Sequence, residues 1–447
     1  MDISIRLVAF GLAEAFLRGD WEPQGMAQRG KLIIVPFRNR RWIARLAENA
    51  FATFSHPFPP VETLTQFLEH SDDLIEFCTS RLNEPLPDIR IDLGQLSRPV
   101  MQPSLGAVTT WNVRPLVTEG EVADWLGLSL AELDWFANRP WRTASPVEGP
   151  LQHYRYRWIA KTAGGSRLLE IPKQRLKQIQ RRIMAEILDR IPPHPTAHAF
   201  RAGRSVASYV APHTKKRIML HIDLREFFPS VRSSQVHALF RTAGYPSRVA
   251  SLLTGLCTNR TPREILMPKE AGPENNLWRK RYELPHLPQG SPTSPALANL
   301  SAFWLDCRLS GLARKVGADY TRYADDLLFS GGDALADCIT RFRVLVAAIA
   351  LHEGFEIRMR KTRVMSQDIR QQAAGIVINQ HPNMPRQQYD TLRAILHNCH
   401  RRGPASQNRE NHPTFREHLQ GKIAYWKTIC PARAGKLESL FAQIDWS

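Results

Sequence analysis

The sequence predicts a protein of the α/β (α+β) class, in which a small antiparallel sheet carries acidic residues and helices form separate regions. Three observations lead to this prediction. Residues 320–330 follow the pattern of strand, tight turn and strand, and residues 218–222 form a short, mostly apolar strand that ends at an acid. Apolar residues recur at helical spacing over residues 7–17, and residues 387–399 and 415–428 have helical patterns near the other end of the chain.

The turn of the 320–330 segment contains two adjacent carboxylates, Asp325 and Asp326, between aromatic and aliphatic neighbours. Like charges this close repel each other and resist burial. A divalent cation in a cleft can cancel that repulsion, so the pair is a candidate metal site. For an isolated pair, an exposed and solvated Asp-Asp turn is the simpler interpretation.

Two further segments make the pair informative. The strand-like run at 218–222 places Asp223 at its end, and the turn-rich segment 287–295 contains Gln289 and Gly290 and leads into a helix. An acid, a Pro-Gln-Gly turn and a Tyr-Ala-Asp-Asp hairpin, in this order, resemble the palm of reverse transcriptases.

The resemblance extends beyond the palm and covers roughly residues 111–447. Segments that precede the first acid resemble the fingers of bacterial reverse transcriptases of the retron type. Segments that follow the hairpin resemble the family's palm lysine motif, primer grip and thumb. The segments are 161–167, 171–181 and 197–205 before the first acid, and 354–362, 374–379 and 415–426 after the hairpin.

The resemblance implies a right-hand polymerase with fingers, a palm of antiparallel sheet plus helices, and a helical thumb, preceded by a mainly helical N-terminal extension. It also implies RNA-directed DNA polymerase activity. The implied parts are an extension of unknown role at 1–110, the N-terminal part of the fingers at 111–215, a palm at 216–380 with a fingers insertion at about 232–286, and a thumb at 381–447.

The resemblance implies roles for the three acids in the reaction of the family, in which a primer hydroxyl attacks the α-phosphate of a nucleotide. Catalysis of this kind is mainly positioning and charge neutralisation, and two Mg²⁺ ions are expected, with Mn²⁺ as a substitute. Asp223 and Asp325 would supply the carboxylates that bridge the ions. Asp326 would be a weaker, supporting acid, and Leu224 would belong to the metal site beside Asp223. A helix N-cap is the alternative role for Asp223.

Three basic residues match positions that bind phosphate charge in the family. Lys161 and Arg167 match the fingers residues that grip the triphosphate of the incoming nucleotide. Lys361 would protonate the pyrophosphate leaving group or stabilise it electrostatically. The alternative for Lys361 is a lysine on a solvated strand end.

The remaining nucleotide-binding candidates lie around the first acid and the Pro-Gln-Gly turn. Phe228 matches the family's aromatic sugar gate, whose ring would leave no room for a 2′-hydroxyl, whereas Phe227 is expected in the core. Gln289 would line the nucleotide pocket beside the template base. Gly290 would let the backbone approach closely.

The charge of the chain agrees with a polyanionic partner. It has 60 Lys and Arg against 42 Asp and Glu, a formal net charge of +18. Residues 1–110 contain 11 basic and 13 acidic residues, so the excess belongs to the part that carries the motifs. A basic run alone is usually a solvated helix face, but runs on both sides of such a motif favour backbone contacts to nucleic acid. The residues expected to contact template and primer are Lys173, Arg175, Lys177, Arg181, Arg204, Tyr323, Gly375 and Lys422.

Other features bound the class of protein. The six cysteines form no Cys-x-x-Cys pair and no metal-ligand spacing, which predicts reduced thiols in a cytoplasmic protein. The apolar start at residues 3–17 is broken by Arg6 and Glu14 and predicts an amphipathic helix rather than a signal peptide. The longest apolar run, residues 344–351, is too short to cross a bilayer, so no membrane partner is expected.

The type of reverse transcriptase depends on two short elements. Retron enzymes carry Asn-Ala-x-x-His before the first catalytic strand and Val-Thr-Gly near the primer grip, and here these places read Tyr-Val-Ala-Pro-His at 209–213 and Ala-Ala-Gly at 373–375. His213 and Gly375 match and the other residues depart. The resemblance implies a retron or retron-like enzyme that uses dNTPs to copy part of a cognate noncoding RNA, its template and primer, into DNA. A role in anti-phage defence beside a separately encoded effector would follow.

Several alternatives stay open. The departures allow another defence-associated or group II-like enzyme with a different template or priming mode. A mobile group II intron protein is not expected, because the thumb-like segment is not followed by a ribonuclease H or endonuclease pattern in this sequence. Residues 118–135 predict a helix, a turn and a helix, either an extension of the fingers or a small DNA-binding unit. A non-catalytic RNA-binding scaffold is disfavoured because the catalytic acids and the fingers residues are present. Residues 1–110 contain no nucleophile, metal or phosphate-loop pattern that would indicate an independent toxin.

Overall fold

The computed structural model of the 447-residue chain describes residues 3–35, 41–54, 59, 61–79, 90–96, 99–104, 111–137, 152–160, 166–266 and 276–446. Within these ranges helices combine with antiparallel sheets, which confirms the predicted α+β class and the mainly helical N-terminal region. Contacts divide the chain into two units, residues 1–192 with 228–301 and residues 193–227 with 302–447. The finer division into extension, fingers, palm and thumb stays a prediction.

The described strands are short, and they form one five-stranded sheet and three two-stranded ones. In chain order they are β1 (Ile34–Val35), β2 (Arg90–Ile91), β3 (Tyr154–Ala160), β4 (Ser166–Pro172), β5 (Ile218–Arg225), β6 (Asp319–Tyr323), β7 (Asp326–Gly331), β8 (Glu356–Ile357), β9 (Arg363–Ser366), β10 (Gln372–Ala373) and β11 (Ile376–Val377).

The described helices make up most of the structure. In chain order they are α1 (Ile3–Leu17), α2 (Pro23–Ile33), α3 (Arg41–Thr53), α4 (Val61–Glu69), α5 (Asp72–Thr79), α6 (Glu119–Leu126), α7 (Leu130–Phe136), α8 (Gln174–Glu186), α9 (Val206–Val210), α10 (Phe227–Ser230), α11 (Ser233–Thr242), α12 (Ser247–Cys257), α13 (Arg263–Leu266), α14 (Asn276–Glu283), α15 (Ser294–Ser301), α16 (Phe303–Lys315), α17 (Asp333–His352), α18 (Arg386–Arg402), α19 (Phe415–Ile429) and α20 (Pro431–Ala442).

The N-terminal helices α1 to α5 enclose an apolar core of their own within the first unit. Leu12 and Phe16 of α1, Ile43 of α3 and Leu64 of α4 are fully buried in it. The buried apolar residues of α3 and α4 recur every three or four positions, so each of these two helices turns one apolar stripe toward the core. The helix Ile3–Leu17 was predicted from the apolar start of the chain, but its predicted amphipathic character is wrong, because Leu7 and Phe10 are exposed and most of the other apolar residues of α1 are buried in the core.

Helices α6 and α7 form the predicted pattern of helix, turn and helix. The Thr118 hydroxyl accepts a hydrogen bond from the Glu121 N–H at 3.1 Å and caps α6. The Glu121 carboxylate accepts the N–H of Val117, at 2.8 Å, rather than that of Thr118. Thr118 and Glu121 have the spacing of a capping box, but this one is only half formed, whereas Ser129 and Glu132 form a complete one at the start of α7.

The second unit contains the five-stranded antiparallel sheet, with strand order β6-β7-β5-β8 and β9 also paired to β5. Strand β5 is central: residues 218–223 pair with β7, and the last two residues of β5 pair with β8. Helix α17 packs on this sheet through Phe342, whose ring meets that of Phe329 edge-on at 5.2 Å between centroids. The sheet thus gives the end of β5 a rigid setting.

A buried histidine joins the two strands of the acidic hairpin. His213 is 0% exposed, its Nδ1 lies 2.7 Å from the Ser330 hydroxyl on β7, and its Nε2 lies 2.8 Å from the Thr321 hydroxyl on β6. Burial lowers the pKa of His213 to about 3. The histidine that matches the retron element is therefore a neutral structural link in the sheet.

This link makes stability depend on pH. The unfolded chain protonates His213 near pH 6.5 and the folded protein only near pH 3, so stability present above pH 6.5 is lost as the pH falls. Between pH 7.5 and pH 5.0, protonation of this residue in the unfolded chain should lower the free energy of unfolding by about 2 kcal/mol. We expect His213→Gln to have a lower free energy of unfolding than wild type at pH 7.5. The decrease in this free energy between pH 7.5 and pH 5.0 should, however, be smaller in the variant than in wild type, as measured by urea titration of both proteins. Exposed His381, changed to Gln, is the matched control, and an undiminished fall in His213→Gln would contradict this assignment.

The C-terminal helices α18, α19 and α20 form a second helical core. Leu396 of α18, Leu419 and Ile423 of α19 and Leu437 of α20 are among its buried residues. Helices α18 and α19 confirm the two helices predicted from the sequence, at nearly the same bounds. Helix α20 was not predicted from the sequence as a separate helix.

Candidate active site

The three predicted acids lie together at one end of the paired strands β5 and β7. Asp223 and Asp326 are direct partners across the two strands. Asp325 occupies the two-residue turn between β6 and β7, and its carbonyl oxygen accepts the N–H of Leu224 at 2.8 Å. The hairpin predicted from the sequence therefore brings residues about 100 positions apart into one acidic group.

The backbone around this group is strained. Ala324, directly before Asp325, has φ = 55°, and Glu226, three residues after Asp223, has φ = 47°. Residues with side chains rarely adopt such angles, and where they do, the surrounding structure must stabilise them. Both strained residues are close in sequence to a predicted catalytic acid.

Positively charged side chains flank the first acid. Asp223 is 5% exposed, and its Oδ2 accepts a hydrogen bond from Lys361 Nζ at 2.9 Å. Its Oδ1 lies 3.4 Å from Arg358 Nε, and the Arg358 N–H donates to the Asp223 carbonyl oxygen at 2.8 Å. Lys361 belongs to the short 3₁₀ turn Met359–Lys361 between β8 and β9 and is 47% exposed. The lysine predicted from the family motif is thus a direct partner of an acid.

The other two acids differ in their partners. The Asp326 carboxylate lies 3.0 Å from Nε2 of His221. Burial raises the pKa of Asp325 to about 6, and repulsion from Asp326 and Asp223 adds to the shift. An ionised Asp325 would therefore be stabilised by a cation.

This donor set fits a divalent metal ion. Carboxylate oxygens are the preferred ligands of Mg²⁺, and Asp325 is a buried acid whose ionisation is disfavoured by two neighbouring acids. In the described part of the chain, no three His, Cys, Asp or Glu side chains are already gathered around a common metal position. Asp223 is instead paired with Lys361, and Asp326 with His221.

The two adjacent phenylalanines have different environments, as predicted. Phe227 is 4% exposed, and its ring packs against Phe355 at 5.6 Å between centroids. Phe228 is only half-buried and lines a cavity of about 380 Å³ in the first unit.

The same cavity is lined by Gly290, Lys177 and Arg181. The structure therefore groups two candidates for nucleotide binding, Phe228 and Gly290, with two basic residues of α8 that the sequence assigned to template and primer. Two positive charges beside the candidate sugar gate suit a phosphorylated ligand.

The Pro-Gln-Gly turn packs against strand β4. The Glu170 N–H donates to the Gln289 carbonyl oxygen at 2.9 Å, and a side chain on Gly290, where φ is 135°, would approach the Glu170 carbonyl oxygen to 2.8 Å. Gly290 is therefore required for the close approach of the turn to β4. Arg167 is exposed on the same strand, and Lys161 lies outside the described residues.

A buried polar network supports this turn. His286 Nε2 lies 2.9 Å from Oε2 of Glu170, and Asn259 and Thr261 donate to Oε1 at 2.8 and 2.7 Å. Burial alone would raise the pKa of Glu170, but His286 and these hydrogen bonds outweigh burial and lower it. A charged glutamate thus organises the segment that carries Gln289.

The remaining nucleic-acid candidates are spread over both units. In the first unit, Lys173 precedes α8, and Arg175 donates to the Gly127 carbonyl oxygen at 3.0 Å. In the second unit, Tyr323 ends β6 beside the acids, and Arg204 is exposed. Lys422 is exposed on α19 and lines a groove of about 790 Å³ between α18 and α19.

The last of these candidates has a backbone role. Gly375 and Ala374 form the turn between β10 and β11, with φ values of 80° and 46°. Two consecutive positive φ values are typical of a two-residue hairpin turn that matches strand twist, and glycine favours it. A nucleic-acid contact of Gly375 stays a prediction.

Three residues that contact the acids or their turn were not predicted from the sequence: His221, Arg322 and Arg358. His221 precedes Asp223 by two positions, so it lies on the same face of β5, and strand alternation could have identified it. Arg322 is fully buried in β6, and the sequence signal for it is a charged residue inside a strand-like, largely apolar segment next to the acids. Arg358 follows β8, and nothing in its local sequence indicates a partner 135 residues away.

The comparison with known proteins agrees with this geometry. The family described as "Reverse transcriptase (RNA-dependent DNA polymerase)" matches residues 159–393, just over half of the chain. The chain therefore belongs to the reverse transcriptase family, whose members depend on divalent metal ions. The activity of the chain is RNA-directed DNA polymerisation.

The curated relatives show which type of reverse transcriptase the chain is. A retron reverse transcriptase of Myxococcus xanthus, Mx65, is 38% identical over 360 residues, covering 79% of this chain and 75% of the relative. Retron Mx162 reverse transcriptase of the same bacterium is 34% identical over 69% of this chain and 63% of its own length. Retron Ec86 reverse transcriptase of Escherichia coli is 31% identical over 55% of this chain and 69% of its own length. The chain is thus a bacterial reverse transcriptase of the retron type.

No described helix is both long and apolar enough to cross a bilayer.

Proposed function

We propose that this chain copies part of a cognate noncoding RNA into DNA by two-metal nucleotidyl transfer with Mg²⁺. The observation that supports the reaction most directly is the meeting of Asp223, Asp325 and Asp326 at the end of β5 and β7. Such a group of oxygen donors is what hard divalent cations require.

Asp223 and Asp325 would hold the metal ions, with Asp326 as a supporting acid and Leu224 beside them. When bound, the ions would neutralise charge on the attacking and leaving oxygens. His221 would orient Asp326, since it is 3.0 Å from that carboxylate. Lys361 would stabilise the pyrophosphate leaving group, and its position 2.9 Å from Asp223 supports an electrostatic role.

Other side chains would select and bind the incoming dNTP. The ring of Phe228 would exclude a 2′-hydroxyl, and Gln289 would line the pocket beside the template base. Lys161 and Arg167 would bind the triphosphate. The cavity shared by Phe228 with Lys177 and Arg181 supports a further phosphate contact there.

Template and primer would be bound along the basic residues of the fingers and thumb. The exposed positions of Arg204 and Lys422 support contacts of this kind, because phosphate neutralisation requires accessible charge. A helical thumb would follow the shallow groove of an A-like RNA–DNA duplex. We place the enzyme in the cytoplasm, with a role in anti-phage defence beside a separately encoded effector.

A second candidate, another defence-associated reverse transcriptase with different priming, is favoured by one observation. The retron elements at 209–213 and 373–375 depart from the family pattern except at His213 and Gly375. Both matching residues have structural roles, in the sheet and in a hairpin turn. They therefore give no separate support to priming by a 2′-hydroxyl.

Nucleic acid purified with the protein separates the two candidates. With a net charge of +18, the protein should bind any RNA at low salt and release it as salt rises. We expect one host noncoding RNA to stay bound near physiological salt, through stacked bases and 2′-hydroxyl contacts, and to carry covalently linked complementary DNA. Ribonuclease treatment should leave DNA with a small RNA remnant. Free DNA, or DNA attached to protein, would contradict 2′-hydroxyl priming and favour the second candidate.

A further inference from the structure

The catalytic hairpin contains a fully buried ion pair. Arg322 of β6 and Asp306 of α16 are both 0% exposed. Arg322 Nε donates to Asp306 Oδ1 at 2.8 Å and Nη2 donates to Oδ2 at 2.7 Å, a bidentate pairing. The Tyr320 hydroxyl donates to the same Oδ1 at 2.7 Å. Asp306, itself held by Tyr320, thus fixes the guanidinium in one orientation.

The locked guanidinium is directed at the turn that carries the acids. Arg322 Nη1 donates to the carbonyl oxygen of Ala324 at 3.2 Å. Ala324 is the strained residue, with φ = 55°, and the next residue is Asp325. The guanidinium carbon also lies 5.6 Å from the centre of the Phe227 ring. Arg322 therefore contacts both Ala324, which directly precedes Asp325, and Phe227, which directly precedes Phe228.

Stability alone does not explain such an arrangement. Moving two charges out of water costs about as much as their attraction returns, so an apolar pair of similar volume would serve the fold equally well. A hydrogen bond to the strained Ala324 carbonyl, in contrast, requires a donor at this place.

We propose that Arg322, oriented by Asp306 and Tyr320, is a positioning residue that holds the turn of Asp325 and Asp326 in its reactive conformation. The inference rests on the proposed catalytic role of these two acids. Arg322 has no part in the chemistry itself. Its removal should lower the rate of the chemical step and leave nucleotide binding nearly unchanged.

The decisive variant replaces the pair by apolar residues, Asp306→Leu with Arg322→Met, so that no buried charge is left alone. Single-nucleotide extension on an RNA template should show a kcat reduced by about 100-fold, the scale for a misplacement of about 1 Å, and a dNTP KM changed by less than about threefold. The melting temperature should stay within a few degrees of wild type. The control is Arg308→Met. Arg308 also lies on α16 and forms a surface ion pair with Glu353, so its replacement should leave rate and stability unchanged.

A conservative variant supplies the second measurement. In Arg322→Lys, the ammonium can pair with Asp306 but lacks the fork that reaches Ala324 at the same time. Its kcat should lie between wild type and the double variant, at a dNTP KM near wild type.

Asp325→Asn, assayed in parallel, separates the possible failures. A wild-type kcat in the double variant while Asp325→Asn is inactive would overturn the positioning role and leave the acids' assignment intact. Activity in Asp325→Asn would instead remove the proposed function on which the inference rests. Loss of folding in both the double variant and Arg322→Lys would make the pair a requirement of the fold, and would likewise overturn the inference.

Discussion

Replacing Asp325 by asparagine is expected to abolish DNA synthesis on an RNA template with Mg²⁺. The amide has nearly the same shape but cannot carry the negative charge that a bridging metal ligand needs. Extension of a labelled primer under single-turnover conditions measures the effect. Retention of more than a few per cent of the wild-type rate would remove Asp325 from the catalytic group.

The same substitution should strengthen the fold in the absence of metal. Burial and two neighbouring acids raise the pKa of Asp325 to about 6, so above that pH its ionised form destabilises the folded state. Asp325→Asn removes this cost, which is on the order of 1–3 kcal/mol, and the gain should disappear as the pH falls below 4. Thermal unfolding with and without Mn²⁺ should show stabilisation by metal in wild type and little in the variant. Asp337→Asn, on the exposed face of α17, is the matched control.

Replacing Phe228 by valine should relax the choice of sugar. The half-buried ring lines the cavity near the Pro-Gln-Gly turn, and a smaller side chain would admit a 2′-hydroxyl. Discrimination against ribonucleotides should fall by about 10–200-fold, the range for one added group in a fitted pocket. Use of dNTPs should change much less. The ratio of kcat/KM for matched ribo- and deoxyribonucleotides measures this.

The adjacent ring provides the contrast. Phe227 is 4% exposed and contacts Phe355 and the Arg322 guanidinium, so Phe227→Ala should destabilise the protein by about 3–5 kcal/mol. It should leave sugar discrimination in the folded fraction near wild type. If Phe227→Ala relaxes selectivity and Phe228→Val only lowers stability, the two rings have been assigned in reverse.

Local pattern was sufficient for much of the fold. Period-3.6 spacing predicted α1, α18 and α19, and the strand-turn-strand pattern predicted β6 and β7 with the acids at their turn. Such patterns report which face of an element is buried, and they depend on neighbours within a few residues. Helix α20 begins directly after α19, and the sequence pattern does not mark the boundary between the two.

The sequence by itself determined the class of protein, because the order of acid, Pro-Gln-Gly turn and Tyr-Ala-Asp-Asp hairpin is a property of the chain. Only the tertiary structure decided the partners of those acids. Lys361 is 138 residues from Asp223, and the Asp306 that orients Arg322 lies on another element. Hydrogen bonds of this kind depend on atoms placed within about 3 Å by the packing of whole elements. The local order of residues does not determine distances between residues that are far apart in the chain. The charge partners of the acids and the strained turns are therefore seen only in the folded structure.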